Sequence, residues 1–107
     1  MDRFEQQCLA EQELGSALER LALNPDFQLA IQKAYLQDHA LYCLHSSTAA
    51  VFTDAAKADF LRMAHATSAL DAWIGNSIRL GLEAPHQLEE HREALERTRR
   101  HAMDPDA

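Results

Sequence analysis

The chain has 107 residues, 47% of them apolar and 25% charged, with a formal net charge of −7. That length supports one small domain with a single core, and an acidic balance without a basic segment speaks against phosphate-driven nucleic-acid binding. No run approaches the ~20 apolar residues of a membrane span, so neither nucleic acid nor membrane is expected as a partner.

Only three glycines and three prolines accompany many Ala, Leu, Glu and Gln residues, a composition that favours helix throughout. No stretch alternates apolar and polar residues with β-branched character, so no strand is expected. Cys8 and Cys43 follow a start, MDRFEQQC, without a signal-length apolar core. They are expected to be free thiols in a reducing cytosol, packed as small apolar residues.

Taken in order, residues 2–23 read as a first helix. Phe4, Cys8, Leu14, Ala17, Leu18 and Leu21 form its apolar stripe, and Glu11 interrupts it. Gly15 costs roughly 1 kcal/mol against alanine in a helix. It is either a tolerated cost or the mark of a close helix crossing. Asn24-Pro25-Asp26 is strong punctuation: a capping side chain, a proline at the first helical position, and an acid at the positive end of the helix dipole. The second helix is predicted over 25–46. Its inward face would be Phe27, Ala30, Ile31, Ala34, Leu41 and Leu44, with Tyr35 and Tyr42 beside it.

Ser46-Ser47-Thr48 competes with helix by side-chain bonding to the backbone. A turn is predicted to Thr53, with Val51 and Phe52 tucked in and Thr53 capping the next helix; a continuous helix through 46–53 is the alternative. The third helix, 54–80, is the spine. Phe60, Met63, Thr67, Leu70, Ile74 and Ser77 lie on one stripe, flanked by Ala66, Trp73 and Leu80 on one side and Ala64 and Ile78 on the other. Trp73 is expected in the core, where truncation to alanine would cost about 3–5 kcal/mol. Arg79-Leu80-Gly81-Leu82 reads as a glycine stop. Pro85 then opens a fourth helix, 85–102, with Leu88, His91, Leu95, Thr98 and Ala102 in a narrow stripe. Glu93–Arg97 and Glu96–Arg100 are favourable i,i+4 pairs beside it. Residues 103–107 read as a frayed tail. The expectation is an all-α fold, a compact and mainly antiparallel four-helix bundle in one domain, 1–107.

Two groupings invite chemistry. His39 and Cys43 stand four apart on one helix, a spacing that can chelate zinc, but no further ligands are nominated. Asp38, Tyr42 and His45 share a face, which could orient His45 as a base. Neither a nucleophile nor a glycine-rich phosphate loop accompanies them. The expectation is a non-enzymatic chain with no cofactor and no metal, and with a polar seam at 38–45.

LNPDFQLAIQKAYLQDHALYCL and ATSALDAWIGNSIRLGLEA, in that order, resemble stretches of small helical proteins of tailed bacteriophages, short-tailed ones especially. The resemblance spans about residues 22–84, and its motifs are a cap, a core and a stop. It implies a phage structural or assembly protein in the host cytoplasm or the virion, with other phage structural proteins as partners. It implies no catalytic residue. A small acidic inhibitor of a host enzyme, imitating DNA, is the rival reading. The thinly patterned first and last helices point to self-association as a homo-oligomer. Phe4, Leu9, Leu88 and Leu95 are the candidate contacts, and Arg97 and Arg100 form the rim.

Overall fold

A computed structural model describes residues 1–103 of the chain. Among them there are three helical stretches and no strand: Arg3–Ala22, residues 25–46, and Asp54–Met103. The tail expected at 103–107 is helical at Met103, and residues 104–107 lie outside the described part.

Local chemistry sets the boundaries. Asp2 Oδ1 accepts from the Glu5 backbone N–H at 2.7 Å and caps the first helix. Asn24 Oδ1 accepts from the N–H groups of Asp26 and Phe27 with Pro25 at the first turn, as the sequence predicts. At the far end, Ser47 Oγ donates to the Leu44 carbonyl (2.6 Å) and Thr48 Oγ1 to the His45 carbonyl (3.2 Å). These bonds occupy carbonyls of the last turn, and the chain leaves helix. Thr53 Oγ1 then accepts from Ala56 N–H at 3.2 Å and starts the long helix. The predicted turn and cap are therefore present, and the continuous alternative is excluded. Phe52 does pack, its ring 4.9 Å from that of Phe60, whereas Val51 is exposed rather than tucked.

The second stretch is not uniform. Pro25–Phe27 and Ala40–Ser46 are α-helical, but Gln28–His39 winds as a π-helix. Its half-buried residues run in steps of four: Phe27, Ile31, Tyr35 and His39, beside Gln32, Leu36 and Ala40. A wider winding keeps both rows on one face, whereas a 3.6-residue turn would carry them away from it. This corrects the predicted inward face. Ala30, Ala34, Leu41 and Leu44 point outward, while Cys43 and Ser46 are buried in their place.

The larger correction concerns Gly81 and Pro85. Helix continues through both, so the predicted 54–80 and 85–102 helices are one, and the four-helix arrangement gives way to three stretches. No glycine has positive φ, so Gly81 is not a left-handed stop. Pro85 lies inside the helix, where its missing N–H removes the bond to the Gly81 carbonyl.

The chain forms two compact units: Met1–Ala17 with Ser77–Ala107, and Leu18–Asn76. In the first, the N-terminal helix runs antiparallel to the later part of the long helix. Phe4 meets His91 (ring centroids 4.5 Å apart). Cys8 is buried with Ala84 and Leu88. Gly15 meets Gly81 backbone to backbone, so that a Cβ added at Gly15 would stand 2.9 Å from the Gly81 Cα. The close-crossing reading of Gly15 is the correct one. In the second unit, residues 25–46 and the earlier part of the long helix form a hairpin around Phe60, Thr67, Cys43 and Ser46, with Tyr42 edge-on to Phe60 at 5.8 Å.

Candidate interaction surface

The seam on the long helix follows a 3-4 repeat: Phe60, Met63, Thr67, Leu70, Ile74, Ser77, Gly81, Ala84, Leu88, His91, Leu95. Such spacing keeps one face of a helix turned to a neighbour. Small residues dominate the deepest positions. Among the described residues the buried apolar side chains are Cys8, Leu18, Cys43, Ala84 and Leu88, and none is larger than leucine. The larger seam residues Phe60, Leu70 and Ile74 are half-buried, partly in water.

In the hairpin unit this leaves a trough of about 580 Å³ between the second stretch and the long helix. Leu36, Ala40, Leu41 and Leu44 form one wall, and Leu61, Ala64, Thr67 and Ser68 the other; Gln37, His65 and Asp71 line its edges. Leu41, Leu44 and Leu61 are 55%, 50% and 41% exposed. The π-helical winding supplies this surface, because it turns Leu41 and Leu44 out of the hairpin. On the flank of the long helix away from the trough, Trp73 is also about half exposed, as is the seam residue Met63. Trp73 is therefore not in the core, contrary to expectation. Its position at the flank, with Thr67, Leu70 and Ile74 nearer the seam, explains why.

The residues expected to carry self-association lie in the other unit, and the structure separates their roles. Leu88 is 7% exposed and buried with Cys8 and Ala84, so its side chain serves its own unit. Phe4 covers His91 while remaining partly exposed. Leu9 and Leu95 are on the surface. Phe4 and Arg97 line a shallow depression with Gln87, His91 and Ala94, and Arg97 and Arg100 border a second with Glu89, Glu93 and Glu96. Glu96 reaches Arg99 at 3.8 Å rather than its predicted partner Arg100.

Around His91 the geometry is polar. Its Nε2 lies 2.7 Å from Asp2 Oδ2. That bond, with the Glu5 N–H, holds the Asp2 carboxyl below its ordinary pKa. Asp2, Glu5 and His91 bring three ligand-type atoms within 4.8 Å, yet each Asp2 oxygen already has a partner within the helix cap and the His91 contact. Burial, with the nearby Glu11, Asp2 and Glu5 charges, pushes the Cys8 thiol up.

His39 and Cys43 are brought together, Nε2 to Sγ at 3.4 Å, under the stacked ring of Tyr35. The 38–45 grouping is not assembled as a site. Asp38 pairs with Lys33 at 3.1 Å, and Tyr42 leans on Phe60. Periodicity at 3.6 residues per turn does not reveal the trough, since Leu41 and Leu44 fall inward on that count. The four-residue rows at 27–40 are the signal that does. Among the described residues no helix is long and apolar enough to cross a membrane. Comparison with protein families, with curated proteins and with solved structures finds no match for this chain.

Proposed function

We propose that this protein is a non-enzymatic interaction and assembly component that acts through exposed helix faces in an oligomer or a larger particle. The observation that carries the reading is the leucine-lined trough of the hairpin unit. Contiguous apolar surface of that kind, rimmed by polar groups, marks contact with another protein. A tailed-phage setting, with other phage structural proteins as partners, rests on the resemblance of residues 22–84. The rival, an acidic inhibitor imitating DNA, would use a continuous acidic face. Arg92, Arg97, Arg99 and Arg100 interrupt the run from Glu89 to Glu96 and beyond, which weighs against it.

The test is mass spectrometry of purified particles and assembly intermediates from infected cells, alongside affinity capture of the intact chain under native conditions. Stoichiometric presence in particles or intermediates is the expected result. Absence from both, together with capture of a single host enzyme whose activity falls, would replace this reading with the inhibitor.

A further inference from the structure

We propose that the trough of the hairpin unit is occupied by the long helix of a second copy of this chain, antiparallel to the first and centred on Ser68. This deepens the interaction reading and rests on it.

Three observations select a second copy. The first is charge. The chain carries 17 acidic residues and a net charge of −7, so two copies repel each other over most of their surface. Among the described residues, Asp71 is the one acid lining the trough, and no Lys or Arg lines it. Two copies meet here with the least repulsion, and a basic partner gains little.

The second is self-complementarity. In a two-fold contact each residue must suit its own counterpart. Leu61, Ala64, Ser68, Asp71 and Gly75 follow one another on a single face of the long helix in steps of three and four, with His65 and Ala72 beside them. Reversed about Ser68, that face pairs His65 with the partner's Asp71 and Ala64 with the partner's Ala72. Ser68 meets itself, and Leu61 falls on the partner's Gly75.

The third is Gly75. Two of the three glycines are explained within the chain, since a Cβ on Gly15 or Gly81 would collide with the facing backbone. A Cβ on Gly75 would meet nothing within 4 Å. Nothing among the described residues of its own chain therefore requires glycine there, and glycine weakens a helix interior. Seated under the partner's Leu61, it gives that side chain the room to pack. Leu36, Leu41 and Leu44 then close over the incoming helix, and two hairpins become a four-helix arrangement.

The experiment combines cross-linking with light scattering of the intact chain. Ser68→Cys should form an intermolecular disulfide under mild oxidation, because the two thiols meet at the two-fold axis. Cys8 and Cys43 are buried and do not compete. Ala66→Cys, exposed on the other flank of the same helix, should remain uncross-linked. Gly75→Leu is the second variant: it improves the helix and so folds, yet it should abolish the dimer by filling the space needed by Leu61. Oligomers that persist in Gly75→Leu, or equal cross-linking at 66 and 68, would overturn the proposed contact while leaving self-association standing. A monomeric wild type that still enters particles would overturn this inference and leave the assembly reading intact.

Discussion

Replacing each glycine with alanine, one at a time, should give effects of opposite sign along the same helix. At Gly15 the new Cβ would lie 2.9 Å from the Gly81 Cα and 3.1 Å from the Ser77 carbonyl oxygen; at Gly81 it would lie 2.8 Å from the Glu11 carbonyl oxygen and 2.9 Å from the Gly15 Cα. These neighbours are backbone, so no side chain can swing aside. Restoring ordinary contact near 3.4 Å requires the two helices to part by about 0.5 Å, which loosens the buried group of Cys8, Ala84 and Leu88. Overpacking of this kind costs about 1–3 kcal/mol, against a gain of about 1 kcal/mol in helix propensity. We expect Gly15→Ala and Gly81→Ala each to lose about 1–2 kcal/mol. The double variant should lose less than the sum, since helices already parted by the first methyl admit the second more easily. Gly75→Ala, with open space around it, should gain about 1 kcal/mol in dilute solution. Urea unfolding followed by circular dichroism reads all four. Equal stabilisation at all three glycines would refute the backbone contact between the N-terminal helix and Gly81.

Three further outcomes follow from the structure. Pro85→Ala restores an N–H for the Gly81 carbonyl and should stabilise the long helix by about 1–3 kcal/mol in the same unfolding assay; destabilisation would mean that the ring itself is needed. Trp73 is 50% exposed, so Trp73→Ala should cost about 1–2 kcal/mol rather than the 3–5 of a buried ring. A blue-shifted emission from the dilute monomer that resists acrylamide would contradict that exposure. The Asp2 carboxyl is held low by its bond to His91 and then by the Glu5 N–H. Its folded pKa lies below its unfolded one, so its contribution is present above about pH 4 and fades as pH falls through the lowered value. Asp2→Asn should flatten that acid limb of a stability–pH profile, and an unchanged limb would show that the His91 contact does not contribute.

Much of the fold is legible in the sequence because its signals are local. Asn24-Pro25 and Thr53 each place a capping group beside free N–H donors, and Ser47 and Thr48 compete for carbonyls at the turn. Gly81 and Pro85 mislead for the opposite reason. Both are ordinary stop and start residues, but the helix runs through them, and Gly81 owes its setting to the backbone of the facing helix. A corrective signal is present in phase. The stripe ending Leu70, Ile74, Ser77 and the one beginning Leu88, His91, Leu95 keep one 3-4 repeat through Gly81 and Ala84, which a turn would have no reason to preserve. The trough is hidden by the π-helical run. A 3.6-residue count turns Leu41 and Leu44 inward, while the four-residue rows from Phe27 to Ala40 turn them out. The narrow stripe around Leu88 points to a subunit contact, but small residues at Cys8 and Ala84 let the helices come close enough to bury it.

The most direct measurement is the molar mass of the wild-type chain by light scattering over a wide concentration range, with and without the Gly75→Leu change. For a chain of 12.0 kDa, the wild-type mass should climb toward twice that value while the variant stays at the monomer mass. A wild-type mass fixed at 12.0 kDa at the highest concentration would contradict an oligomer built on these helix faces.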